Sequence, residues 1–204
     1  MLELIDEEII FPKSNIFKNG FKFSITSMQN LFQIFNTVVN TQSAKNSVTA
    51  WVNSGFDSSN TLDVMKSIIV CFGGGDRIWG KRLHEFESNI ESINCILECA
   101  YNKANIHDFS AIDEVKRING IGDTYSTKFV RFFNDNFPII DSRIAEAIKH
   151  DYTDDGYRKY VEFCSLISEK ASMPIANVES CIFCAIQIKS SNKKIWRKFS
   201  QIEI

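Results

Sequence analysis

Proline is scarce, with three among 204 residues, at 12, 138 and 174. A chain so poor in helix breakers, with long stretches of apolar residues at 3.6-residue spacing, reads as all-α. No apolar run approaches the roughly 20 residues that a membrane-spanning helix needs, and no membrane partner is expected. A dominant charge of either sign is missing too: 23 Lys and Arg stand against 25 Asp and Glu, a formal net −2. That excludes a protein that coats nucleic acid by bulk charge, but not one with a local basic cleft. The first ten residues, MLELIDEEII, lack the basic residues of a secretory leader, so the expected location is the cytoplasm. The composition of a disordered chain is absent as well. With 44% hydrophobic residues the chain can bury a real core, as one domain or as two interlocked lobes.

What is present divides into helices. Ile9, Ile10 and Phe11, then Asn19-Gly20, then Phe21 and Phe23 predict a short N-terminal hairpin. Ser24 or Thr26 can cap a helix striped by Met28, Leu31, Phe32, Phe35, Val38 and Val39. Val48, Trp51 and Val52 mark a second helix, and Leu62, Met65, Ile68, Ile69 and Phe72 a third that stops at Gly73-Gly74-Gly75. One long helix is then expected through Leu83, Phe86, Ile90, Ile93, Leu97 and Tyr101. Two short helices flank Asn119-Gly120-Ile121-Gly122, and two more span about 155–171 and 176–190 before a basic tail. Six cysteines (71, 95, 99, 164, 181, 184) without a leader read as reduced and buried. His84, His107 and His150 are scattered, and no residues stand at metal-ligand spacing, so neither metal nor cofactor is expected.

The chemistry concentrates in one stretch. Gly120 and Gly122 permit a tight turn between two steeply crossing helices, and the second helix starts with backbone N–H groups at its positive dipole end. Gly120, Gly122, Asp123, Thr124 and Lys128 are the candidate phosphate contacts. An αα-turn that binds nothing fits the two glycines equally well. A helix over 123–133 would travel about 16 Å from the turn. Residues 134–140, extended around Pro138, can span about 23 Å in return, enough to bring Asp141 back beside the turn. A carboxylate there suits glycosidic cleavage, whose transition state places positive charge on the sugar. Asp141 is also well placed simply to cap the helix that starts at Ser142.

Residues 26–150 resemble the helix-hairpin-helix DNA glycosylases, the superfamily of endonuclease III, the mismatched-adenine glycosylase and the 8-oxoguanine glycosylases. Three stretches carry the resemblance: 31–39 running into Asn40-Thr41-Gln42, the hairpin Ile118-Asn-Gly-Ile-Gly122, and Phe137-Pro-Ile-Ile-Asp141-Ser-Arg, whose Asp stands 19 residues past the second glycine. The resemblance implies two helical lobes, 1–24 with 136–204 and 25–135, with double-stranded DNA across a cleft and a damaged or modified nucleotide flipped into it. It implies Asp141 as the catalytic residue in a monomeric enzyme. Bifunctional members carry a lysine two residues past the second hairpin glycine; here Thr124 stands there, which implies hydrolysis of the N-glycosidic bond without lyase activity. Lys128, four residues on and on the same helix face as Thr124, reads as a phosphate contact or a solvated lysine, with a displaced nucleophile as the alternative. The family's C-x6-C-x2-C-x5-C iron–sulfur pattern is missing.

Other signals attach to the same reading. Gly75 to Lys81 fits a phosphate-binding loop except that Arg82 replaces the final Ser or Thr. Read instead as a loop between lobes, 73–82 lets Trp79 stack on an extruded base and Arg77, Lys81 and Arg82 hold phosphates, while Trp79 as core filler is as well supported. Gln42 resembles the polar plug that fills the gap left by a flipped base, or is a surface turn residue. The tail from Lys189, with Lys193, Lys194, Arg197, Lys198 and Trp196, can grip DNA backbone or lie solvated. The likeness to 8-oxoguanine enzymes implies an oxidised purine; the glycine-rich 73–75 segment alternatively leaves room for a hypermodified base of viral DNA. The readings from other classes are a non-catalytic helix-hairpin-helix DNA-binding protein and an all-α protein-interaction domain with no DNA role.

Overall fold

A computed structural model describes residues 2–72, 75–149, 153–190, 194–199 and 201, apart from the Asp154 side chain. His150, Lys193, Glu203 and the glycines at 73 and 74 lie outside the described residues. The protein is mostly helical, with one small sheet, and its contacts divide it into Met1–Val38 with Pro138–Ile204, and Val39–Phe137.

The first unit opens on a three-stranded antiparallel sheet: β1 (Glu3–Ile5), β2 (Glu8–Phe11) and β3 (Phe21–Ser24), in that order. The expected hairpin is the β2–β3 pair, with Ile9 opposite Phe23 and Phe11 opposite Phe21. The extra strand turns on Asp6 and Glu7, both at positive φ (47° and 64°), a two-residue turn built without glycine. Phe11, Phe17, Phe21 and Phe23 pack as a ring cluster with centroids 5.1–6.1 Å apart. Ser24 caps a short 3₁₀ turn that leads into α1 (Met28–Val38). The buried face of α1 (Met28, Leu31, Ile34, Phe35) closes on α10 (Ile175–Ser190), where Phe35 meets Phe183 edge-on at 6.2 Å. This packing carries α1 into the first unit, so the division falls after Val38 rather than after residue 24. Helix α10 is buried around nearly its whole circumference from Ala176 to Ile188, and α8 (Ser142–Ile148), α9 (Asp154–Ala171) and the short α11 (Lys194–Arg197) pack against it. Such a helix is largely apolar because it has no solvent face to keep, with Glu179, Ser180 and Gln187 the polar residues buried along it.

The second unit holds α2 (Gln42–Asn53), α3 (Thr61–Val70), α4 (Asp76–Ser88), α5 (Ile90–Asn105), α6 (Ser110–Lys116) and α7 (Asp123–Phe133). The long helix expected through 83–101 is two helices. Asn89 breaks it at φ −120°, and its side-chain amide donates to the Glu85 carbonyl at 2.8 Å. The inward stripe continues unbroken across the joint, from Phe86 to Ile93 and Leu97, so periodicity alone shows no break. Expected as a loop, 73–82 is mostly the first half of α4, and Gly80-Lys81 sits inside that helix, which rules out the phosphate-binding loop. Gly75 is required by packing: a Cβ there would lie 1.9 Å from the Ile69 carbonyl oxygen. The core centres on Trp51, stacked with Phe133 at 6.0 Å and flanked edge-on by Phe56 and Tyr101. Asn94 is its polar hub, accepting from Trp51 Nε1 (2.8 Å) and Thr61 Oγ1 (2.6 Å) and donating to the Phe56 carbonyl (2.8 Å). Among the described residues no single helix is long and apolar enough to cross a membrane.

Candidate nucleic-acid interface and active site

In the second unit α6 and α7 meet at the glycine turn. Gly120 takes φ +85°, a conformation that penalises any residue with a Cβ, and the Ile121 amide closes the turn on the Ile118 carbonyl at 3.0 Å. Gly122 is different: its φ of −99° and ψ of −173° suit any residue. No atom lies within 4 Å of where its Cβ would stand, so the missing side chain keeps the start of α7 uncovered. Ile118 and Ile121 point into the core and hold the turn from below. Tyr125 and Ser126 amides bond the Gly122 carbonyl at 3.0 and 2.9 Å, so α7 is regular from its first residue. The first turn of α7 stands at the positive end of the helix dipole, the end at which helices receive phosphate. Asp123 is paired with Lys116 at 2.9 Å. Burial of Lys116 pulls its pKa down, but Asp123 and Asp113 outweigh this and hold it above the usual lysine value.

Helix α4 braces the turn from the side. Arg82 lies against Gly120, where an added Cβ would come within 2.9 Å of Nε. Its Nη1 pairs with Glu85 at 2.6 Å, and the Asn119 amide donates to the other Glu85 oxygen. These bonds, Arg82 first, hold the Glu85 carboxyl below the usual range against a smaller effect of burial. Sequence reasoning gave Arg82 a phosphate but did not connect it with the hairpin, since 38 residues separate it from Gly120.

Lys128, expected as a phosphate contact or a solvated lysine, is a buried residue instead. Only 7% exposed, it is enclosed by aromatic rings, with Nζ 4.6 Å from the Tyr125 centroid and 5.2 Å from that of Phe72. Four residues past Thr124, the side chain follows the inward-turning face of α7 rather than the hairpin. Burial also raises the Tyr125 phenol above its ordinary value. Thr124 is half-buried at the opening of α7, and its carbonyl accepts from Thr127 Oγ1 at 3.1 Å. Gln42 is exposed as the first residue of α2, bonded to Asn46 at 2.7 Å. Arg77 is exposed on the first turn of α4, while Trp79 is half-buried against Phe86 at 5.8 Å, which fits core filler better than a stacking platform.

Asp141 lies in the first unit. It is the N-cap of α8: its Oδ1 accepts from the Ile144 amide at 2.8 Å, and its carbonyl from Ala145 at 2.8 Å. It is half-buried, whereas Ile139 and Ile140 before it are 3% and 1% exposed. The two residues after it, Ser142 and Arg143, line an open basin of about 650 Å³ with Asn15, Glu146, Lys189 and Ser190. The 93%-buried Gln187 orients Arg143, accepting from Nη1 at 3.0 Å. Two cations against one carboxylate leave this basin positive. Arg143 was legible only as part of the Asp-Ser-Arg stretch, and nothing in the sequence linked it to Lys189. In the tail, Trp196 is 4% exposed and meets Phe183 at 6.0 Å, so it is a core residue and not a DNA contact. Cys164, Cys181 and Cys184 are buried, and burial pushes the Cys184 thiol up to about 12. Cys95 is exposed, contrary to expectation, since α5 turns it outward.

No protein-family model, curated protein or solved structure matches the chain.

Proposed function

We propose that the chain is a DNA glycosylase of the helix-hairpin-helix type, which flips a damaged or modified base out of duplex DNA and hydrolyses its N-glycosidic bond. The observation that carries this reading is Asp141: a half-buried carboxylate fixed by its own helix cap, whose next two residues along the chain, Ser142 and Arg143, line a basin that also bears Lys189. A fixed carboxylate offers the transition state a negative charge that needs no reorganisation as the sugar turns cationic. The bond from C1′ to the base nitrogen breaks with its electron pair leaving on the base. Asp141 stabilises the resulting oxocarbenium-like sugar and orients a water whose oxygen bonds C1′ as its proton passes to the carboxylate and on to the departed base, leaving an abasic site. In one unit the glycine turn and the start of α7 are the phosphate contact, and in the other Arg143 and Lys189 offer cations to phosphates. With Lys128 enclosed among rings and Thr124 at the position of the family's nucleophilic lysine, the reaction ends at hydrolysis.

One observation favours a non-catalytic DNA-binding protein instead: the Ile144 amide already gives Asp141 a purely structural occupation. The Asp141→Asn variant separates the two, because Asn caps a helix about as well as Asp and spares the fold. Base release, followed by mass spectrometry on duplexes carrying oxidised, alkylated or phage-type bases, should fall by about 10²-fold or more. DNA affinity should be kept or improved. An Asp141→Asn protein that still releases base at the wild-type rate removes the carboxylate from the mechanism, and wild-type protein that binds duplex DNA yet releases nothing from the whole panel leaves the binding reading.

A further inference from the structure

The run that delivers Asp141 is neither helix nor strand over 138–140, so its buried backbone groups need partners from elsewhere. Pro138 fixes its own φ and lacks an N–H, leaving its carbonyl as the one polar backbone group it can anchor by. That carbonyl receives a hydrogen bond at 2.8 Å from the hydroxyl of Tyr157, on the first turn of α9. The turn is itself fixed: Thr153 caps α9, accepting from the Gly156 amide at 3.2 Å, and its carbonyl takes the Tyr157 amide at 2.9 Å. Tyr157 is 5% exposed, and its neighbours Tyr160, Cys164 and Glu179 are fully buried.

We infer that Tyr157 is a positioning residue for Asp141: its hydroxyl ties α9 to the Pro138 carbonyl and so sets where the carboxylate three residues on is held. Between this tie and the α8 cap, the buried side chains of Ile139 and Ile140 leave the run little freedom. Burial drives the Tyr157 phenol well above its ordinary pKa, with the nearby Cys164 and Glu179 acting in the same direction, so the hydroxyl remains a donor. Losing the bond would orphan a buried carbonyl and loosen the segment ahead of the cap, without touching any group that meets DNA. Misplacing a reacting group by about 1 Å can cost up to about 10²-fold in rate.

The inference rests on the glycosylase reading for its effect on rate but has a readout independent of activity. In Tyr157→Phe, amide hydrogen exchange at Ile144, whose N–H is held by Asp141, should quicken about tenfold while the α10 amides keep wild-type protection. Single-turnover base release should slow about tenfold with the DNA dissociation constant unchanged. Unchanged exchange at Ile144 overturns the inference, as does faster exchange spread evenly over the unit, which would mark a merely structural bond. Wild-type protein that releases no base from any duplex defeats the glycosylase reading, and the Ile144 amide still decides whether Tyr157 positions Asp141.

Discussion

Gly120 carries two demands at once: a left-handed backbone and an Arg82 guanidinium packed where a Cβ would stand. The backbone alone penalises alanine, and a Cβ would also make the Arg82 side chain shift. Gly120→Ala should therefore cost about 1–2 kcal/mol in chemical denaturation, from backbone strain of order 1 kcal/mol plus the displaced arginine. It should also weaken duplex binding. Gly122→Ala, at ordinary dihedrals, should leave stability within about 0.5 kcal/mol while still weakening binding, because its methyl would cover the start of α7. The two glycines look equivalent in the sequence, and only the dihedrals separate them. Asp141 was the more legible residue, since a carboxylate just before Ser142-Arg143-Ile144 predicts a cap and the structure has that cap. Lys128 was misread for the opposite reason. Periodicity places it on a face of α7 but cannot tell that Phe72, 56 residues earlier, comes to cover it.

Among the elements, those with a strong apolar stripe were readable, and those that depend on a single side chain's hydrogen bond were not. Helices α1, α3, α9 and α10 follow from spacing and stop signals. The α4–α5 joint depends on one asparagine amide, and β1 on a turn of Asp and Glu in place of the glycine that usually marks a hairpin. Asn94 shows how much one such side chain holds, since it joins α5 to Trp51 on α2, to Thr61 on α3 and to the loop carbonyl of Phe56. Asn94→Ala would strand two buried donors and an acceptor. The expected loss is about 3 kcal/mol or more in denaturant melts, at the upper end for unmade buried hydrogen bonds. A loss below about 1 kcal/mol would mean that water replaces the amide there.

At the scale of the molecule, the spacing of apolar residues indicated the helical class, but not that α1 belongs with the C-terminal helices. That is settled by packing against α10, roughly 150 residues away, which no local pattern reveals. The unit Val39–Phe137 is one continuous stretch with its own aromatic core around Trp51, so expressed alone it should fold. The measurements are helical circular dichroism and a cooperative thermal melt, and a gradual, non-cooperative melt would refute its independence. The other unit is assembled from both ends of the chain, and this orders events on the ribosome. The middle segment can collapse while synthesis continues, but the apolar face of α1 must wait, uncovered, until α10 has been translated. Throughout that interval the nascent chain carries Met28, Leu31, Ile34 and Phe35 as a sticky stripe, an obvious place for a chaperone to hold.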